Sequence, residues 1–192
     1  MIRAVLAVLL AVALLSASFP VIEDAREDRS ATLVESELDV VETAGIDLVS
    51  TEQPIELDKS KRAEHGKETT TTGLATASRR SLSVDVPGQT LTEAPVEYVA
   101  LGGVPAEDRP DERLGSDPGT DHEHHQNPGV LVYRLADSDV QIRHTPVEFR
   151  AKNANGAVSP RGEPLVLRGD AELTLSLVEL DGDRVVLVRR RA

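Results

Sequence analysis

The chain has 192 residues, with 33 Asp and Glu against 21 Lys and Arg and a net charge of −12. That balance excludes a nucleic-acid partner, which needs a basic face, and argues against docking on anionic lipid headgroups. There are no cysteines, so no disulfide, thiolate metal site or cysteine nucleophile is available, and only four aromatic residues, so sugar-binding and base-stacking platforms lose weight.

Ala4–Ile22 is a run of nineteen residues without a charge, preceded by Arg3 and followed by Glu23, Asp24, Glu27 and Asp28. As a helix it rises about 28 Å, close to the thickness of a bilayer core. A basic residue before it and acids after it orient the N-terminus inside and the remainder outside. Residues 1–22 therefore read as a retained single-pass anchor. The alternative is a cleaved signal segment, with Arg3 as the basic region, Ala4–Leu15 as the apolar region and cleavage near Ser18. Both readings export the rest of the chain.

Residues 23–50 read as an amphipathic helix continuing from the first. Val34, Leu38, Val41, Gly45 and Leu48 recur at spacings of three and four, with Leu33, Val40 and Ala44 beside them. Glu35, Glu37, Asp39, Glu42 and Asp47 form the opposite face, and Arg26 and Arg29 are placed for intrahelical pairs with nearby acids. The stripe Val34, Leu38, Val41 and Leu48 packs on the chain's own sheet or against a protein partner. Residues 51–80 read as a linker, with Pro54, a charged run at 58–62 and four threonines at 69–72. They read as a solvated loop, with O-glycosylation of the threonines as the alternative.

From residue 81 to 192 the pattern alternates, and an antiparallel β domain is expected. Strands are expected at 82–86, 96–101, 130–135, 140–144, 147–151 and 165–167. A closing hairpin has Leu173, Leu175 and Leu177 in one arm, Val185–Val188 in the other and Asp181-Gly182-Asp183 as its turn. Residues 104–128, rich in Pro, Asp, Glu and Gly, read as a disordered exposed insertion. Arg189-Arg190-Arg191 is placed to pair with acids of the body. The fold class expected is α+β: a long N-terminal helix followed by a small antiparallel domain.

Asp121-His122-Glu123-His124-His125 is the one cluster of metal-ligand types. The spacing of His122, His124 and His125 is not that of a known zinc site, and no element preorganises it, so it reads as a solvated loop. His65 and His144 read as surface residues. There is no Gly-x-Ser-x-Gly elbow, and Gly102-Gly103 is followed by Val-Pro-Ala-Glu without the Lys of a phosphate loop. No catalytic residue, cofactor or metal is expected.

An apolar helix (Ala4–Ile22) running into an amphipathic one (Val34, Leu38, Val41, Leu48), then a loop and the strands from Leu82 to Val188, resembles the pilin and pseudopilin architecture. Prepilins carry a short basic leader with a peptidase motif before that helix; Met1-Ile2-Arg3 precedes it here, a departure from the pattern. The excess of acid, with four Lys among 21 basic residues and many small residues, resembles proteins of salt-loving archaea, where dense carboxylates keep a surface hydrated. The opening MIRAVLAVLLAVALLSAS, with Pro20 and the DARED segment at 24–28, also resembles an uncharacterised family of membrane-anchored haloarchaeal proteins associated with pilus or secretion-type systems. These resemblances imply a non-enzymatic, extracytoplasmic component of a surface assembly. Two alternatives are a stand-alone binding module using the 104–128 insertion and, remotely, an exported hydrolase without a recognisable motif.

Overall fold

The computed structural model describes residues 2–56, 77–88, 90, 92–109, 129–136, 138–153, 157–160, 162–180 and 182–191. It is an α+β fold in which one helix precedes two sheets. Helix α1 spans Ile2–Thr51 and stops three residues before Pro54, which cannot continue it. The strands among the described residues are β1 (Ile55–Glu56), β2 (Arg79–Val84), β3 (Val96–Leu101), β4 (Val130–Leu135), β5 (Gln141–His144), β6 (Glu148–Ala151), β7 (Leu165–Leu167), β8 (Ala171–Leu180) and β9 (Asp183–Arg190).

The first sheet is built around β8. One edge of β8 pairs with β2 over residues 171–176 and then with β1 at Val178 and Glu179; the other pairs with β9, which carries β6. The second sheet runs β5-β4-β3-β7 and is antiparallel throughout. The expectation of a wholly antiparallel domain is corrected at two places, since β1 with β8 and β6 with β9 are parallel. In each case the two strands are far apart in the chain, so no tight turn dictates an antiparallel return.

Alternation within the strands places buried residues on both faces of each sheet. Leu173, Leu175, Leu177, Val186 and Val188 point inward with Val99, Leu101, Leu131, Tyr133 and Leu135 of the second sheet. Val178, Val185 and Leu187 lie on the opposite face of the first sheet, and Tyr98, Ala100, Val130 and Val132 on the opposite face of the second.

Helix α1 enters the shared core through Val34, Leu38, Val41, Ala44 and Leu48. The expected stripe is therefore committed to the chain's own sheets. As a surface for a protein partner it is corrected: these side chains are at most 5% exposed. Gly45 sits on the same face, and a Cβ there would lie 2.7 Å from Phe149 Cζ.

The acidic face does not simply meet solvent. Glu35 accepts a hydrogen bond from Tyr133 Oη, Glu42 and Asp39 hold Arg143 of β5, Asp47 holds Arg80 of β2, and Glu37 accepts from the Asp85 amide. Two rows of carboxylates thus flank the buried stripe and reach different sheets. The intrahelical pairs expected of Arg26 and Arg29 give way to contacts with the segment before β3. Arg26 donates to the carbonyls of Thr90 and Glu93, at 2.6 and 3.0 Å, and Arg29 Nε lies 3.9 Å from Glu93 Oε1. Buried Ser30 donates to the Ala94 carbonyl and completes this seam.

The expected linker over 51–80 is interrupted at both ends, by β1 and by the start of β2 at Arg79. Residues 57–76, including the charged run and the threonines, lie outside the described residues. The expected insertion does not begin at residue 104. Val104 and Pro105 are buried and lead into a 3-10 turn, Ala106–Asp108, because Val104 covers Tyr98, Ala100 and Val132 on the outer face of the second sheet.

Candidate functional site

Two regions stand apart from the core. The first is the N-terminal half of α1. Val5, Leu6, Leu9, Leu10, Val12, Leu14 and Ile22 are 54–63% exposed, so large apolar side chains have no cover over several turns. From Ser30 onward the same helix is embedded in the domain. Among the described residues no helix is long and apolar enough to cross a membrane. The run Ala4–Ile22 has only part of its side chains among those residues.

The second region is a surface cleft of about 560 Å³ between the 3-10 turn and β7. Its architecture starts at Tyr98, whose phenol is buried beneath the turn. Tyr98 Oη donates to Asp108 Oδ2 at 2.5 Å, and Arg134 Nη1 donates to Asp108 Oδ1 at 2.7 Å. Arg134 Nε also lies 3.1 Å from Glu97 Oε2, though off the hydrogen-bond axis. Burial, followed by the hydrogen bond to Asp108 and its charge, pushes the Tyr98 phenol well above its usual range. The turn is stitched on its other side by Arg109, which donates to the carbonyls of Val104 and Gly162 at 3.0 and 2.6 Å. Gly103 allows this approach: a Cβ there would lie 2.7 Å from the Gly162 carbonyl oxygen.

The cleft so formed is lined by Arg109, Arg168 and Arg190 with Glu107 and Glu163. Its charges are largely engaged. Arg168 pairs with Glu107 at 3.0 Å, Arg109 is held as above, and Arg190 Nη2 lies 3.4 Å from the Asp170 carbonyl oxygen. No histidine or hydroxyl side chain is among its described lining residues. Mixed, paired charges of this kind suit polar contact.

The histidines singled out from the sequence fall elsewhere on the chain. His122, His124 and His125 lie outside the described residues, as does His65. His144 is exposed at the end of β5, opposite Val130. Among the described residues no group of three or more His, Asp or Glu is placed to hold a metal ion. Of the C-terminal arginines, Arg191 meets Glu172 at 3.5 Å. Arg109, Arg168 and Arg190 carry no sequence motif, since strand order alone brings them together.

Residues 1–191 match the DUF7311 domain, a domain of unknown function. The chain belongs to the DUF7311 family. The match takes in both the exposed helical segment and the two-sheet body, so DUF7311 describes them as one unit. No curated protein and no solved structure matches the chain.

Proposed function

We propose that this protein is a membrane-anchored, non-enzymatic module whose β domain is presented outside the cytoplasm. The observation that carries the reading is the change of environment along α1. Its first turns expose Val5, Leu6, Leu9, Leu10, Val12 and Leu14, while the same helix from Ser30 is locked into the domain core. Apolar surface of that extent is costly in water, at about 25 cal/mol per Å². The nineteen uncharged residues of Ala4–Ile22 match a bilayer in length. Arg3 before the run and the acids after it orient the domain outward. The acidic surface supports a setting of high salt, consistent with a haloarchaeal origin.

Fractionation tests the reading. The full chain is expected to stay with membranes through carbonate extraction, and a chain lacking residues 1–22 is expected to be released. Protease added to intact cells should digest the β domain. Carbonate release of the full chain, or protection of the domain in intact cells, overturns it.

A second reading adds lateral assembly in the manner of pilins. It is favoured by one observation: Ile22, Leu33 and Val40 are exposed and fall on one helical azimuth, outside the buried stripe. The chain has no cysteine, so Leu33→Cys and Val40→Cys are clean probes. Disulfide-linked dimers in native membranes support assembly through this face; monomers alone under oxidation overturn it.

A further inference from the structure

The two-sheet body grips α1 close to the end of the uncharged run. Arg26 Nη2 donates to the carbonyls of Thr90 and Glu93 at 2.6 and 3.0 Å, and the Ala94 amide donates back to the Arg26 carbonyl at 3.5 Å. Glu27, about 100° further round the helix, accepts from Ser138 Oγ at 3.3 Å. The helix is thus held on two azimuths, by the segment before β3 and by the turn after β4. The Val96 amide donates to the Pro87 carbonyl at 3.3 Å and the Ala136 amide to the Pro95 carbonyl at 2.9 Å, which ties the two into one rim.

No proline interrupts α1 between Ile22 and Thr51, so height along it grows by about 1.5 Å per residue. Arg26 stands about 6 Å beyond Ile22. The headgroup region adds about 5–8 Å to each side of a bilayer's hydrocarbon core. At the other end of the body Arg184 of β9 donates to the Val49 carbonyl at 2.8 Å, about 35 Å further along the helix than Arg26. The body therefore lies alongside the helix with its rim at the end nearer the uncharged run. The rim is polar and its Glu93 is compensated: that carboxylate accepts from Thr90 Oγ1 at 3.3 Å and faces Arg29 Nε at 3.9 Å. Thr90 and Thr92 are exposed beside it. Hydroxyls and a paired carboxylate suit a hydrated layer of lipid headgroups.

We propose, resting on the membrane-anchored reading above, that the rim of Thr90, Thr92, Glu93 and Ser138 is a membrane-contact surface seated in the lipid headgroup layer, on which the β domain stands upright. Its partner is the lipid surface itself. The contact is imposed by the continuous helix and not by charge attraction, in keeping with a net charge of −12. The end of the body beside Val49, with the turn between β8 and β9, is then presented away from the membrane at a fixed height.

The test uses the full chain in phosphatidylcholine vesicles containing a lipid with a nitroxide quencher on its headgroup. The chain has no cysteine, so Thr92→Cys, Asp139→Cys and Thr51→Cys, all at exposed positions, each carry one fluorophore. The labels at 92 and 139 are expected to lose at least half of their emission. The label at 51, about 44 Å beyond Ile22 along the helix, is expected to lose none. A two-turn helical insertion between Glu23 and Asp24 lifts the rim by about 11 Å and should restore emission at 92 while the chain stays in the membrane. Carbonate extraction of the same vesicles separates the two readings. Retention of the chain with full emission at 92 and 139, or with equal quenching at 51 and 92, overturns the seated rim and leaves the anchor standing. Quenching at 92 that survives the insertion overturns it too. Release of the chain by carbonate overturns both.

Discussion

Gly45 of α1 lies directly against the ring of Phe149 in β6, so close that a Cβ would fall 2.7 Å from Cζ and 3.0 Å from Cε1. The contact joins the helix to the first sheet where the core is fully closed, since Phe149 is 0% exposed. Helix propensity alone favours Gly45→Ala by about 1 kcal/mol. Packing reverses the sign, because a buried ring held on all sides cannot withdraw. Gly45→Ala is expected to destabilise by about 1–3 kcal/mol, read as a lower denaturation midpoint in urea. Phe149→Leu in the same chain should recover part of the loss by making room for the methyl. Additive losses would show that the ring is not the obstacle.

Leu38 and Val40 sit two positions apart on α1 and meet opposite environments. Leu38 is buried in the core shared by both sheets, whereas Val40 is half exposed. Leu38→Ala should cost about 2–5 kcal/mol through lost burial and the cavity left behind. Val40→Ala should stay within about 0.5 kcal/mol, as for a surface site. Thermal melts of the two variants check the contrast. Equal effects would mean that the helix does not seat as described.

That contrast also marks what is legible in the sequence. The spacing of Val34, Leu38, Val41, Gly45 and Leu48 specifies a helical face, and the alternation of Leu173, Leu175 and Leu177 with their partners around Gly182 specifies a hairpin. Both are local signals. The destinations of Glu35, Glu42 and Asp47 are not legible, because azimuth on a helix does not say which strand lies beside it. The parallel pairings of β1 and β6 depend on long excursions of chain, and the cleft unites Arg109 with Arg190 across 81 positions. Val104 and Pro105 look like loop by composition, yet burial against Tyr98 makes them part of the body. The approach of Lys152 to Arg189 is equally hidden, since only the pairing of β6 with β9 brings them side by side.

Tyr98 tests how the cleft is held. Its hydroxyl is one of two donors to Asp108, with Arg134 the other. Tyr98→Phe removes that donor and leaves part of a buried carboxylate unsatisfied, for a cost of about 1–3 kcal/mol. Because Asp108 closes the 3-10 turn, the turn itself should loosen. Hydrogen exchange at the Asp108 and Arg109 amides, which bond to Pro105 and Ala106, should quicken by more than global destabilisation explains. Uniform exchange changes across the domain would refute a local role.

The chain's two tyrosines should make it alkali-sensitive. Tyr133 is pushed up to about 12 by burial, then by the charge of Glu35 and their hydrogen bond, and Tyr98 is shifted in the same direction. The folded state therefore holds these protons more tightly than the unfolded state, whose phenols titrate near 10. The stabilisation is complete below pH 10 and is lost as pH rises from about 10 through about 12. Phenolate absorbance should remain low at pH 10 in the folded chain and appear together with loss of structure by circular dichroism. A phenolate signal at pH 10 in an intact fold would contradict this.

Lys152 should act in the opposite sense. Its amine is depressed by burial and by Arg189 and Arg79, so the unfolded state binds that proton more readily than the folded state. A group of this kind detracts from stability while it is charged, and stability rises with pH towards the ordinary lysine range. Lys152→Met is thus expected to raise the melting temperature at pH 7. The amine is only partly buried, so salt screening should narrow the gain. A variant that melts below the wild type would mean that packing of the lysine stem outweighs the cost of burying its charge beside Arg189.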